Sequence, residues 1–325
     1  MFASDPPALG DPQGDLPGST VSWAGLSDPW LASIGGTPML PLPRLAAENG
    51  GRFELRAKAE FRNPTGSVKD RTAWGIVSDA LANGRLGDGE VLVDASSGNT
   101  GVAYAMLGAR LGFPVRLYVP ATAHPDRIDR IRALGAETIL TDPAEGTDGA
   151  QREAQQWADE HLGRSFYGDQ YRNPANPLAH YRSTGPEIWT QTGGRLSHFV
   201  AGVGTGGTLS GAARYLKERN PAIRVIAVEP DRPLHGLEGL KHLPSVRRPE
   251  TYDARIVDQT IRVSTEEAEL LRRHLGPLEG LLVGRSAAAA LVASVRVGRA
   301  TPGAFVVTVL PDAPPDDRPV AAGGP

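Results

Sequence analysis

The chain has 325 residues, 40% of them hydrophobic, and a formal net charge of −3. This length predicts about two domains with packed cores. Acidic and basic residues are interspersed, which argues against a nucleic-acid-binding protein, and the lack of cysteine excludes disulfide scaffolds and thiolate chemistry. The first residues lack the basic start and apolar core of a signal peptide, and no apolar run reaches a membrane-spanning length, so we expect a cytoplasmic protein.

Short apolar runs alternate with helical patterns along most of the chain. The runs typical of buried strands are 91–94, 115–119, 198–203, 224–229 and 304–310. The patterns typical of helices are 69–83, 100–111, 125–134, 147–162, 208–219, 265–275 and 286–297. This alternation predicts an α/β fold with parallel sheets, in which ligands bind at the carboxyl ends of the strands. Residues 1–18 and 313–325 are rich in Pro, Gly and Asp and are predicted to be flexible tails.

The first candidate loop is NPTGSVKDR (63–71), which places Lys69 in the first turn of a predicted helix. The chain has 34 basic residues but few lysines, so each lysine is of interest. A desolvated amine near a helix N-terminus has a lowered pKa and can act as a nucleophile. The alternative is a solvated lysine on a helix face.

The second candidate loop is SSGNTG (96–101), directly after the strand predicted at 91–94. Small hydroxyl side chains and backbone N–H groups at a helix start can bind a carboxylate or a phosphate. An ordinary capped turn remains an equally simple interpretation.

The third candidate loop is GVGTGGT (202–208), between a predicted strand and a predicted helix. Its glycines let the backbone approach an anion closely, which favours phosphate binding. Gly202, Gly204 and Gly207 also fit the G-x-G-x-x-G pattern of dinucleotide-binding proteins, with Glu229 at the end of the next strand. An NAD(P)-dependent dehydrogenase is therefore an alternative, although it gives the other two loops no role.

Other common catalytic patterns are missing from the sequence. It has no G-x-x-x-x-G-K-[ST] nucleotide loop, no G-x-S-x-G nucleophile motif, and no metal-ligand spacing among its seven histidines. We therefore predict no metal site.

A reactive lysine, a carboxylate loop and a phosphate loop together suggest pyridoxal phosphate. The segments NPTGSVKDR, SSGNTG, DQYRNPANPLAHYRSTGPEIW and GVGTGGTLSG occur in this order, and the chain resembles the fold-type II pyridoxal-phosphate enzymes. Within that group it resembles the cysteine synthases, and their B isozyme in particular. The resemblance extends from about residue 34 to about residue 310 and implies a two-domain fold like that of the tryptophan synthase β subunit.

The resemblance implies a role for each matching residue. Lys69 corresponds to the catalytic lysine that binds the cofactor covalently and moves the α-proton, Asn99 to the residue that bonds the pyridoxal 3′-oxygen, and Ser286 to the serine that faces the pyridine nitrogen. The residues that correspond to the phosphate loop are Gly204, Thr205, Gly206, Gly207 and Thr208. Those that correspond to the site for the substrate α-carboxylate are Ser96, Ser97, Thr100 and Gln170. A basic residue near Lys241 can face the leaving group in the family.

The implied reaction is β-replacement, in which sulfide displaces acetate from O-acetyl-L-serine to give L-cysteine. A neutral serine at the pyridine nitrogen suits this reaction, because it makes the ring a weaker electron sink than a carboxylate partner would. O-phosphoserine as donor and a cystathionine β-synthase-type reaction remain alternatives. The resemblance also implies a homodimer whose smaller domain, 63–173, moves on substrate binding against a larger domain formed by 19–62 and 174–312.

Three positions depart from the family pattern. Ser96 stands where threonine is usual, and Arg285-Ser-Ala-Ala replaces a common Ser-Ser-Gly run. After Leu310 the chain reads PDAPPDDR and lacks the longer C-terminal segment of the family.

Overall fold

The computed structural model describes residues 28–96 and 98–314, which form two β-sheets flanked by helices. The strands are β1 (Met39–Pro41), β2 (Glu54–Ala59), β3 (Val91–Ala95), β4 (Val115–Pro120), β5 (Glu137–Thr141), β6 (Ser165–Tyr167), β7 (His198–Gly202), β8 (Arg224–Pro230), β9 (Gln259–Val263) and β10 (Phe305–Leu310). The helices are α1 (Pro29–Ala32), α2 (Pro43–Glu48), α3 (Lys69–Ala82), α4 (Asn99–Leu111), α5 (Pro125–Ala133), α6 (Gly146–Glu160), α7 (Ala175–Arg182), α8 (Thr184–Thr192), α9 (Gly207–Arg219), α10 (Thr265–Glu279) and α11 (Arg285–Ala300).

The larger sheet has the strand order β1-β2-β10-β7-β8-β9 and is parallel except for β1, which is antiparallel to β2. Its central strands are rich in Val, Ile and Ala because both of their faces are buried. One face packs on α2, α10 and α11, and the other packs on α8 and α9.

The smaller sheet is entirely parallel, with the order β5-β4-β3-β6. Helices α3, α4 and α5 cover one face, and α6 covers the other. Helix α3 follows β2 of the larger sheet but packs Ala73, Ile76 and Val77 into the core of the smaller one. It therefore connects the two sheets directly.

A buried ionic network holds the start of α3 against the larger sheet. The Arg71 guanidinium donates to the carboxylates of Glu60 and Glu187, and the fully buried Lys58 amine lies 2.6 Å from Glu187. Since Arg71 lies two residues after Lys69 in the first turn of α3, this network also anchors the backbone at Lys69.

The predicted α/β fold with parallel sheets is confirmed. Each predicted strand and helix has a counterpart whose bounds differ by a few residues. The prediction missed β1, β2, β5, β6 and β9, which are short or carry polar and partly exposed positions instead of a continuous apolar run.

The predicted smaller domain, 63–173, encloses all four strands of the smaller sheet, and its movement stays a prediction. The predicted N-terminal tail lies outside the described residues, as does all of the C-terminal tail beyond residue 314. None of the helices in the described part of the chain has the length and apolar character needed to cross a membrane.

Candidate active site

A cleft of about 460 Å³ opens where the carboxyl ends of strands from both sheets face one another. Lys69 begins α3 after β2, the second loop joins β3 to α4, and the glycine-rich loop joins β7 to α9. The cleft is lined by all of the predicted site residues except Gly207 and Ser97. Ser97 lies outside the described residues, and Gly207 lies behind the lining, packed on Asn176.

Lys69 reaches the floor of this cleft from the first position of α3. Within the described residues its amine has no hydrogen bond or ion pair, although the Asp312 carboxylate and the Arg127 guanidinium act on it electrostatically. Burial lowers the pKa of the Lys69 amine; Asp312 opposes this effect and Arg127 reinforces it. A lowered pKa increases the fraction of neutral amine, which is the form that attacks a carbonyl or accepts a proton.

The second loop and Gln170 form one hydrogen-bonded unit. The Thr100 hydroxyl donates to the Gln170 side-chain carbonyl at 2.8 Å, and the Gln170 amide donates to the Ala95 carbonyl at 3.1 Å. The Ser96 hydroxyl oxygen accepts from Gly101 N–H at 2.9 Å. These bonds hold the polar side chains of Ser96, Thr100 and Gln170 together beside the start of α4.

The glycine-rich loop passes close to other backbone segments. A Cβ at Gly204 would lie 2.2 Å from the Gly239 carbonyl oxygen, and one at Gly206 would lie 2.5 Å from Tyr252. Gly206 also has φ +87°, in the left-handed region that favours glycine. The Gly207 N–H donates to the Thr205 hydroxyl at 3.4 Å, and the other N–H groups of the first turn of α9 have no carbonyl partner within the helix.

Two buried polar side chains support this loop from behind. Asn176 donates to the Gln170 carbonyl at 2.7 Å and to the Thr205 hydroxyl at 3.0 Å, linking the two halves of the site. His180 Nε2 lies 3.2 Å from the Thr208 hydroxyl, and burial holds its pKa well below the usual range, so it is neutral. Both residues belong to the segment 169–189, but sequence reasoning gave neither a role.

Asn99 and Ser286 meet at a carboxylate that sequence reasoning also missed. The Asn99 amide donates to one Asp312 oxygen at 2.9 Å, and the Ser286 hydroxyl donates to the other at 3.4 Å. Asp312 follows β10 in the segment that the sequence analysis treated as a departure from the family. The sequence signal was therefore available: an acidic residue two positions beyond a buried strand that ends at the site.

The mouth of the cleft is rich in cations. The amine of Lys241 lies 5.6 Å from the centre of the Tyr171 ring. The backbone N–H of Lys241 donates to the Val203 carbonyl at 2.8 Å. Burial lowers the pKa of Lys241. Across the mouth, Arg127 of α5 forms a 2.7 Å ion pair with Glu238.

These features fit pyridoxal phosphate. The cleft offers an unpaired lysine amine for an aldehyde, a glycine cradle with helix N–H groups for a phosphate, and a second set of donors for an amino-acid carboxylate. The volume lies in the range of small-molecule and cofactor sites.

The chain belongs to the family of pyridoxal-phosphate-dependent enzymes, which matches residues 31–312. It is 47% identical to a cysteine synthase of Aquifex aeolicus over 287 residues, which is 87% of this chain and 88% of the relative. It is 39% identical to cysteine synthase B of Salmonella typhimurium, over 86% of this chain and 91% of the relative. Among solved structures, a cysteine synthase of Entamoeba histolytica superposes with a TM-score of 0.83 at 31% identity, covering 95% of this chain and 91% of that one.

Family membership decides against the dehydrogenase alternative and confirms pyridoxal phosphate as the cofactor. The geometry gives the physical reason. Glu229, the acidic residue needed for a dinucleotide ribose, lies in a separate depression beside Arg262 and Tyr252.

Proposed function

We propose that this enzyme is a cysteine synthase, which converts O-acetyl-L-serine and sulfide into L-cysteine and acetate. One observation carries the proposal: an unpaired lysine amine, a carboxylate-binding loop and a phosphate-binding loop face the same cleft. The similarity to cysteine synthases over most of the chain supports the same reaction.

The glycine loop Gly204–Thr208 and the N-terminus of α9 hold the cofactor phosphate, which the helix dipole also attracts. Ser96, Thr100 and Gln170, together with Ser97, hold the substrate carboxylate. Asn176 bonds both Gln170 and Thr205, so it connects the two anion sites directly. Substrate and cofactor are thereby aligned for reaction.

Pyridoxal phosphate supplies the electron sink that makes the substrate α-proton acidic and allows the β-substituent to leave. In the overall reaction the C–O bond to acetate breaks and sulfide forms the new C–S bond at the β-carbon. Lys69 would hold the cofactor covalently, and its freed amine would take the substrate α-proton and later return it. The lowered pKa of Lys69 suits both directions of this transfer.

O-phospho-L-serine is a second candidate donor, favoured by the cations at the mouth. Lys241 and Arg127 both line the cleft, and a phosphate leaving group carries more negative charge than an acetyl group. Lys241 has no anionic partner within hydrogen-bonding distance in the described residues, so its amine is available to such a group.

The homodimer, the cytoplasmic location and the movement of residues 63–173 belong to the same proposal. The Arg127–Glu238 ion pair spans the cleft mouth between α5 and the loop after β8, so movement of this domain would break it. Light scattering during size-exclusion chromatography tests the dimer.

The decisive experiment follows product formation directly. The protein is saturated with pyridoxal phosphate, its visible spectrum is recorded, and O-acetyl-L-serine and sulfide are added. We expect a spectral change with the first addition and L-cysteine by chromatography after the second. A normal cofactor spectrum without cysteine from either donor would refute the proposal, and cystathionine from serine and homocysteine would favour the alternative reaction.

A further inference from the structure

The depression that contains Glu229 lies outside the cofactor cleft, at the β9 edge of the larger sheet. It has a volume of about 410 Å³, which falls in the range of small-molecule sites. Its lining combines the charged residues Glu229, Arg248 and Arg262 with apolar ones such as Leu243 and Val257. The proposed reaction gives this depression no role.

The carboxylate of Glu229 is buried here without a partner. Glu229 is 5% exposed, and within the described residues its side chain makes no hydrogen bond and no ion pair. Burial raises the pKa of Glu229, and the charges of Arg262, His242 and Arg248 oppose that rise from a distance. A buried carboxylate without hydrogen bonds has lost its solvation by water, so a ligand that donates hydrogen bonds to it is favoured.

Two arginines face the same depression, and neither has an acidic partner within the described residues. Arg262 is the register neighbour of Glu229 on β9, so both side chains lie on one face of the sheet. Arg248 is exposed at the rim. The other acidic residue of the lining, Asp258, is already paired with Lys217 at 2.8 Å. The depression therefore offers one anion and two cations to a ligand.

These groups match the charges of an α-amino acid. An ammonium group donates up to three hydrogen bonds, and a carboxylate accepts paired hydrogen bonds from a guanidinium. We propose that the depression is a second, noncatalytic site that binds an α-amino acid with an aliphatic side chain. Glu229 binds the α-ammonium group, Arg248 and Arg262 bind the α-carboxylate, and the side chain packs on Leu243 and Val257.

One short segment separates this site from the cofactor cleft. Leu243 and Pro244 line the depression, whereas Lys241, His242 and Ser245 line the cleft. These five consecutive residues include the short 3₁₀ helix Leu243–Ser245, and His242 Nδ1 lies 2.9 Å from the Ser245 hydroxyl oxygen. A ligand that packs on Leu243 moves this segment and so repositions Lys241 at the cleft mouth. Regulation of activity through this segment rests on the proposed function, whereas binding in the depression does not.

Binding is measured by equilibrium dialysis of the enzyme saturated with pyridoxal phosphate against radiolabelled L-leucine, L-methionine and L-alanine in turn. The visible spectrum is recorded on the same samples, since an amino acid that reacts at the cofactor changes it. We expect saturable binding of leucine or methionine, tighter than that of alanine, without a spectral change. 4-Methylpentanoate, which lacks the ammonium group, and 3-methylbutylamine, which lacks the carboxylate, should compete poorly.

Three variants locate the bound amino acid. Glu229→Gln and Arg262→Gln each remove a charged hydrogen-bonding group, and we expect each to weaken binding by about 10–150-fold. Arg262 is exposed, so its variant tests the site even if Glu229→Gln does not fold. The control is Arg247→Gln, which removes the exposed neighbour of Arg248; Arg247 pairs with Glu250 at 3.3 Å and does not line the depression. This control should bind like the parent.

The absence of saturable binding in the parent would overturn the proposal, as would equal binding in the parent and Arg262→Gln. Regulation is measured as kcat/KM for O-acetyl-L-serine with and without saturating L-leucine. We expect a decrease of about 5–150-fold in the parent and in Arg247→Gln, but not in Arg262→Gln. Bound leucine that leaves kcat/KM unchanged refutes the regulatory role. A protein that makes no cysteine but binds leucine through Arg262 keeps the site and refutes the proposed function alone.

Discussion

Replacing Gly207 by alanine tests whether Asn176 links the two anion sites. Gly207 is the first residue of α9, and a Cβ there would lie 2.0 Å from Asn176 Oδ1 and 2.5 Å from its Cγ. Asn176 is fully buried, so its amide has no open space to enter. It must move away from the Gln170 carbonyl, the Thr205 hydroxyl or both.

The cost follows from two effects. Overpacking a buried site costs about 1–3 kcal/mol, and leaving a buried polar group unpaired costs about 1–3 kcal/mol more. Alanine is the better helix former by at most about 1 kcal/mol. We therefore expect a net loss of about 1–5 kcal/mol in the free energy of unfolding, together with weaker binding of pyridoxal phosphate.

Urea unfolding of the cofactor-free protein, followed by circular dichroism, measures the first quantity, and a cofactor titration measures the second. Gly276→Ala in α10 is the matched control, since its Cβ would meet only Leu282 Cδ2 at 3.3 Å, and Leu282 is 67% exposed and can move. Parental stability and cofactor affinity in Gly207→Ala would refute the linking role of Asn176.

Three further substitutions test the site and its support. Lys69→Ala should abolish cysteine formation and the absorption of the lysine-bound cofactor while retaining some cofactor through the phosphate loop; measurable turnover would contradict its catalytic role. Lys241→Ala should lower kcat/KM for O-phosphoserine by about 10–150-fold and leave kcat/KM for O-acetylserine nearly unaffected. The control is Lys217→Ala, which removes a lysine that is paired with an aspartate outside the cleft. Equal losses for both donors would contradict a specific role of Lys241 toward the phosphate. Glu187→Gln should cost about 3 kcal/mol at neutral pH because it leaves buried cations without their partner. Burial raises the pKa of Glu187, but hydrogen bonds and charges from Arg71 outweigh this effect and lower the pKa to about 2. The difference in the free energy of unfolding between variant and parent should therefore shrink as the pH falls from 4.5 to about 2, which acid unfolding measures. A difference that does not change with pH in this range would contradict the proposed ionic role of Glu187.

Local sequence was enough to predict the three loops that meet at the cleft. Glycines, hydroxyl residues and a lysine directly after apolar runs indicate strand-to-helix turns, and such turns collect at one edge of a parallel sheet. Family resemblance added Ser286 and Gln170, which lie in segments with no distinctive spacing of their own. The short polar strands were missed because their apolar pattern is too brief to be distinguished from a loop.

The sequence by itself thus determined the α/β class, the cofactor and three of the loops that line the cleft, because these depend on local pattern and motif. Only the tertiary structure decided which polar groups meet behind that lining. Asn99 and Asp312 are 213 residues apart in the chain. They come into contact because the N-terminus of α4, which packs on the smaller sheet, faces the end of β10, which lies between β2 and β7 in the larger sheet. Contacts of this kind follow from the order of the strands and the packing of the two sheets, which no local spacing encodes.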